Sequence, residues 1–338
     1  MGGVAGVDYT NYLDIKQMLG PDHKVVPKII DVLSMSNTII QEANMMPTSH
    51  PDGHLVTIST EEPQGEWLAL GQGYKPEDGK DLQFKEQPGK IGSMSRVPAD
   101  YVDEATEDGK LILWHKDQKF IRGLNKTATK TIFYGNGMAN PKSFTGFALR
   151  YGSLKNPQVI DASAGKATPG VGKYASITGV IWGPDTASLI YKKDVPAGLQ
   201  HRREKEFPKL VDLPDGRSRW EYRSTWDWHL GLAIMDYRSV FRICNIDVKA
   251  KPGEPGYLDY KLFIDAIAQI PDDMPGKLSI YCNRFVWAMV AKEFEDKPNI
   301  RFAPSDKIVP NEGRVSVDLW GLPFRRVDAL LCTEEAVQ

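Results

Sequence analysis

Cysteine is scarce. The three in 338 residues, Cys244, Cys282 and Cys332, share no metal-ligand spacing. That excludes a disulfide scaffold or a cysteine zinc site and leaves them as reduced core residues of a cytosolic product. Long apolar runs are missing as well: no stretch approaches the roughly 18 residues a membrane-spanning helix needs. The opening MGGVAGVDYTNYLDIK has neither the basic start nor the apolar run of a secretory leader. There is no excess of one charge. Forty-two Lys and Arg face 44 Asp and Glu, for a net charge of -2, so the basic surplus of a free-standing nucleic-acid binder is absent. With 41% apolar and 25% charged residues, the chain can bury the core of one large domain or two ordinary ones.

Catalytic signatures are equally thin. There is no HExxH pair, GxSxG elbow or GxxxxGK[ST] loop. GQGYKPEDG lacks the GxGxxG pattern and the strand-to-helix setting of a dinucleotide site. His50, Asp52 and His54 share a Pro/Gly turn, a poor metal cage. The adjacent carboxylates Glu61-Glu62 and Asp272-Asp273 read as solvated turns. Cys282 sits between a strand and a helix with no oriented histidine in view. HRREKEFPK (201–209) reads as a solvated loop, or else as a contact to another subunit or to a scaffold. The expectation is therefore no catalytic residue, no cofactor and no metal.

The densest aromatic stretch is WDWHLGLAIMDYRSVFRICNID (226–247). Trp226, Trp228, Leu230, Leu232 and Ile234 alternate, so they share one face of a strand. Asp227 and His229 take the other face. A groove for sugar or hydrolysis needs all four of Trp226, Asp227, Trp228 and His229 on one accessible face, and period 2 separates them.

The elements with positive signals are of other kinds. Residues 25–45 read as an amphipathic helix through Ile29, Val32, Leu33, Ile39 and Ile40, stopped by Pro47. The segment 1–53 is too poor in apolar residues for a core of its own and must lie on something else. HLVTIST (54–60) is a strand. Between Glu61 and Pro98, six glycines and mixed charges predict a long exposed β-hairpin with its tip near YKPEDGK (74–80). From about 107 to 134 a stripe of Leu113, Phe120, Leu124, Ala128 and Ile132 predicts one very long helix, with Lys116, Lys119, Arg122 and Lys126 on other faces. Residues 256–270 and 284–296 read as shorter helices around the strand KLSIYCN, and RVSVDLWG and LPFRRVDALLC read as closing strands.

In this order the motifs VLSMSNTIIQEANMMP, GEWLALGQGYKP, RGLNKTATKTIFYGN, NPKSFTGFALRYGSL, ITGVIWGPD, STWDWHLGLAIMDYRSVFRICNID, LSIYCNR and GLPFRRVDALL resemble the major capsid proteins of tailed bacteriophages with the Hong Kong 97-like fold. The likeness is to the short-tailed-phage gp-seven capsid family in particular, and it covers nearly the whole chain. The resemblance implies an α+β fold. Residues 1–53 would be an N-terminal arm and 54–104 an E-loop β-hairpin. Residues 105–255 would form a peripheral domain on the spine helix, and 256–338 an axial α/β domain. Because the peripheral strands precede the axial helices, a rearranged strand connectivity is expected.

The implied role is a structural protein, not an enzyme. Copies would self-assemble into pentamers and hexamers of an icosahedral head that encloses double-stranded DNA without sequence-specific binding. Scaffolding, portal and decoration proteins would be partners, and no membrane is involved. The product would be assembled in the host cytoplasm and located in the virion capsid. The inter-subunit contacts implied are Trp67, Tyr74, Lys75, Glu77, Lys80, Phe84 and Lys85 on the E-loop, Ile29, Leu33 and Ile39 on the arm, and Lys116, Lys119 and Arg122 on the spine helix. Expansion on DNA packaging is implied too, with a hinge near residues 99–108. Some relatives join a loop lysine to an asparagine; Lys75, Lys80, Lys85 and Lys90 lie in the right arm, but no matching catalyst is visible and no cross-link is expected. Two alternatives remain: an encapsulin-like cellular compartment, and a carbohydrate-binding or hydrolytic module using the Trp-rich strand.

Overall fold

A computed structural model describes residues 38–61, 65–76, 78–103, 109–203, 208–259, 261–271, 273–295, 302–304, 317–319 and 322–338. In chain order come α1 (Thr38–Glu42), β1 (Met45–Pro47), β2 (His54–Glu61), β3 (Lys80–Glu86), β4 (Gly89–Pro98), α2 (Ala99–Asp103) and the long α3 (Gly109–Tyr134). A four-residue α4 (Phe147–Arg150) leads to β5 (Val159–Asp161), β6 (Tyr174–Trp182), β7 (Ala187–Tyr191), β8 (Leu199–Arg203) and β9 (Lys209–Asp212). The 17-residue β10 (Ser218–Ile234) and β11 (Val240–Asp247) follow. The last third gives α5 (Lys261–Ala268), β12 (Lys277–Cys282), α6 (Arg284–Glu295), β13 (Phe302–Pro304), β14 (Val317–Leu319) and β15 (Leu322–Arg326).

The described chain forms two compact units, both discontinuous in sequence. One comprises residues 91–127 and 198–228; the other falls within 37–90, 128–197 and 229–338. In the larger unit β6 is the spine of the sheet, and all nine of its residues are buried. A strand covered on both faces has no need of polar alternation, and YASITGVIW shows none. β11 and β12 flank β6 antiparallel. β12 runs parallel to β15, β15 antiparallel to β14, and β14 antiparallel to β13. β5 adds in parallel outside β11.

The sheet and two helices share a core. Phe263 and Ala266 of α5 and Val286 and Val290 of α6 pack on Ala175, Ile177, Phe241, Ile243, Ile280 and Phe324. Gly179 is part of this fit, because a Cβ there would lie 2.1 Å from an edge atom of the Phe241 ring. Gly179→Ala is therefore expected to lose about 1–3 kcal/mol through overpacking. Urea unfolding should show the midpoint fall, and Gly179→Ala combined with Phe241→Leu should recover part of it.

The smaller unit is built on the first half of β10. β8 pairs with it at Ser224–Trp228 and β9 at Ser218–Glu221, both antiparallel. Trp226 is fully buried against Ile121 and Leu124 of α3, with Phe120, Ile91 and Leu199 around them. The predicted stripe of α3 holds at Leu113, Leu124, Ala128 and Ile132, all buried. At one position the structure corrects it: Ile121 is fully buried and Phe120 only half. A helix advances 100° per residue, so two neighbours at the edge of the stripe compete for the core, and the β-branched residue took it.

Three further expectations change. The helix expected over 25–45 is, within the described residues, only Thr38–Glu42, and Met45–Pro47 is a strand parallel to β7. The backbone groups of 45–47 gain sheet partners there that a fraying helix end would leave open. The hairpin is real but shorter than expected: β2 pairs with β3 from His54–Glu86 to Glu61–Lys80, while 65–76 has no strand. β4, within the span predicted for the hairpin, lies beside β10 instead.

Candidate functional site

The β2–β3 ribbon is fastened at its base and bare at its tip. At the base, Arg150 donates to both carboxylate oxygens of Glu86, at 2.5 and 2.8 Å, and both side chains are mostly buried. The same guanidinium donates to the carbonyls of Thr145 and, at 3.4 Å, Leu232. Two parallel N–H···O bonds fix the direction as well as the distance of a guanidinium–carboxylate pair. Beside it, the Nδ1 of His54 accepts from the Ser49 amide, and Lys85 is ion-paired with Asp52. Burial lowers the pKa of His54, which keeps Nδ1 an acceptor. The turn with His50, Asp52 and His54, weighed as a metal cage, thus has Asp52 turned to a lysine and His54 to a backbone amide. The inner side of the ribbon packs Val56, Ile58 and Phe84 against Ile190 and Ala233.

At the tip Trp67, Leu70 and Tyr74 are 99%, 107% and 91% exposed. Isolated exposed apolar residues are ordinary; three large ones within eight positions are a denser exposure than that. Lys75 and Lys80 are exposed beside them, and Glu77 lies outside the described residues. Of the arm positions singled out from sequence, Ile29 and Leu33 lie outside the described residues, and Ile39 is fully buried in its own chain. On α3, Lys119 and Arg122 are exposed and Lys116 half-buried.

A second constellation ties down the C-terminal segment. Arg242, between the buried Phe241 and Ile243 of β11, donates to Glu334 at 2.8 Å, to Ser176, and to the carbonyls of Ala148 and Tyr151. Glu334 also accepts from Ser176 and from the phenol of Tyr134 at the end of α3. Burial and the neighbouring carboxylate push the Tyr134 phenol far above its usual range, so it stays a donor. Beyond Glu334, Asn245 grips the backbone of Val337 through both its amide oxygen and nitrogen. Sequence reasoning missed this cluster, whose members are spread from 134 to 334. The one available signal was an arginine in the run VFRICNID.

The Trp-rich strand offers no accessible groove. Trp226 is fully buried, Trp228 nearly so, and Asp227 and His229 are half-buried on the opposite face. The indole of Trp226 stacks on His201 at 4.0 Å between ring centres. That corrects the binding-module alternative, since a sugar platform must be open to solvent. Cys282 is buried and Cys244, also buried, is pushed up to about 12 by desolvation, so neither supplies a thiolate at neutral pH. No group of His, Cys, Asp and Glu among the described residues is arranged to hold a metal.

Residues 20–338 match the family described as major capsid protein GP7. Among solved structures, the bacteriophage Epsilon15 structure is similar with 22% identity over 99% of both chains and a TM-score of 0.67, which establishes a shared fold. The capsid of bacteriophage JBD30 aligns with 12% identity over 80% of this chain and 87% of that one, TM-score 0.48. An encapsulin from Synechococcus elongatus aligns with 10% identity over 75% and 99%, TM-score 0.43. No curated protein sequence matches.

Proposed function

The chain belongs to the major capsid protein GP7 family and is the shell-forming subunit of a bacteriophage capsid, and from that premise we propose how its parts meet in the shell. Copies join as pentamers and hexamers of an icosahedral head around double-stranded DNA. Scaffolding, portal and decoration proteins act as partners. The β2–β3 ribbon is the E-loop, reaching onto an adjacent subunit, and the segment before β2 is the arm. α3 is the spine of the peripheral part, and the region from 256 onward is the axial part. The supporting observation is the near-total exposure of Trp67, Leu70 and Tyr74 on a ribbon whose base is clamped by Arg150 and Glu86. Such a ribbon holds its bare end away from its own core, where only another molecule can cover it.

A closed shell repeats one contact many times, so a modest contact per copy suffices. Trp67→Ala, Leu70→Ala and Tyr74→Ala together should leave subunit stability within about 0.5 kcal/mol, as expected for exposed positions, yet abolish closed particles. Negative-stain electron microscopy of wild type and variant, each alone and co-expressed with its genomic neighbours, reads this directly. Shells from the triple variant as abundant as those of wild type would remove the ribbon from the contact. A wild type that stays monomeric throughout would remove the assembly reading.

A further inference from the structure

The core-facing stripe of α3 has an opposite face of different chemistry. At about 100° per residue, Lys119, Arg122, Gly123, Lys126, Thr127 and Lys130 fall together there, and all six are exposed. Half-buried Lys116 stands one turn before Arg122's neighbour Lys119 on the same side. The single acid of the helix, Asp117, is buried on the core side. None of the described salt bridges involves Lys119, Arg122, Lys126 or Lys130. The four cations line a ridge of about 16 Å at 1.5 Å per residue. Gly123 has open space where a side chain would be, so no other part of the chain covers the middle of the ridge.

We propose that this face of α3 is a phosphate-contact ridge for double-stranded DNA, binding backbone without reading sequence. The inference rests on the reading that the shell encloses such DNA. Two features select a nucleic-acid backbone over a protein surface. The ridge carries one sign of charge over three turns, which suits a line of phosphates. It also exposes no large apolar residue, whereas protein interfaces are centred on apolar or aromatic anchors. Nothing on it presents the amide pairs that read base edges, since Asn125 is buried. In a chain of net charge -2, a local ridge gives contact with packaged DNA while the rest of the surface lets it slide.

The test uses the full chain and a random-sequence duplex of about 30 base pairs, with binding followed by fluorescence anisotropy from about 50 to 200 mM salt. Each phosphate contact contributes about 0.9 to the slope of log affinity against log salt. Lys119→Gln, Arg122→Gln, Lys126→Gln and Lys130→Gln combined should flatten that slope by about three to four units and weaken binding most at low salt. Glutamine keeps good helix propensity. The comparison variant Lys142→Gln, Lys155→Gln, Lys192→Gln and Lys193→Gln removes the same charge from exposed positions elsewhere and should leave the slope nearly unchanged. An unchanged slope in the ridge variant, an equal loss in the comparison variant, or no binding by wild type at low salt would overturn the proposal. So would a ridge variant that binds DNA normally but no longer assembles, which would make the ridge a subunit contact. Electron microscopy of the wild type separates the two failures: shells without a ridge effect sink only this inference, and no shells sink the reading beneath it.

Discussion

Arg242→Ala is expected to destabilise the subunit by about 3–5 kcal/mol, the usual penalty for removing one partner of a buried ion pair. Both side chains of the Arg242–Glu334 pair are less than a tenth exposed. The substitution leaves Glu334 without its cation and strips a donor from Ser176 and from the carbonyls of Ala148 and Tyr151. Typical domains are stable by only about 5–15 kcal/mol, so much of the folded population is at risk. Thermal unfolding should shift down strongly, and hydrogen exchange should rise first in 331–338, which the network holds to Tyr134 and β6. Glu334→Gln should lose less, because the amide keeps an acceptor for Arg242. Equal, small losses in both variants would show that the C-terminal segment is not held by this pair.

Trp226→Ala is expected to lose about 3–5 kcal/mol, as large-to-small changes of buried tryptophan do. Trp226→Phe should lose no more than about 1.5 kcal/mol. The contrast follows from two facts: the ring is fully buried against Ile121 and Leu124, while its indole nitrogen has no hydrogen-bond partner among the described residues. Phenylalanine keeps most of the apolar contact and removes an orphaned donor. Chemical denaturation of the three proteins distinguishes packing from a hidden polar role. If phenylalanine proves as harmful as alanine, the indole N–H has a function that the packing does not explain.

The long helix was legible because a stripe of period 3.6 over 26 residues leaves little ambiguity, and β10 because strict alternation from Trp226 to Ile234 can mean only a strand. Phe120 and Ile121 could not be ranked from sequence, since both lie at the margin of the stripe and only the facing surface decides. The helix expectation runs on to Met45, and no strand is expected at Met45–Pro47, because local pattern cannot see that β7 offers a parallel edge. The buried cluster around Glu334 joins Tyr134, Ser176 and Arg242 across 200 positions, and no local period reports such a meeting. The exposed tip residues were found for the opposite reason. Trp67 and Tyr74 sit among glycines and charges that offer no core, so their exposure could be expected without knowing the fold.

The clamp at the base of the ribbon has a mechanical consequence. Arg150 grips Glu86 and the carbonyl of Leu232 at once, so a tug on the far end is passed directly into β10. A pull along the length of the ribbon stretches β2 and β3 together, because the chain joins them at that end, and spares their ladder from His54–Glu86 to Glu61–Lys80. A pull across it peels the same pairs one after another. The ribbon is thus stiff along its axis and weak sideways, like adhesive tape, and a lengthwise load on it meets the greatest resistance.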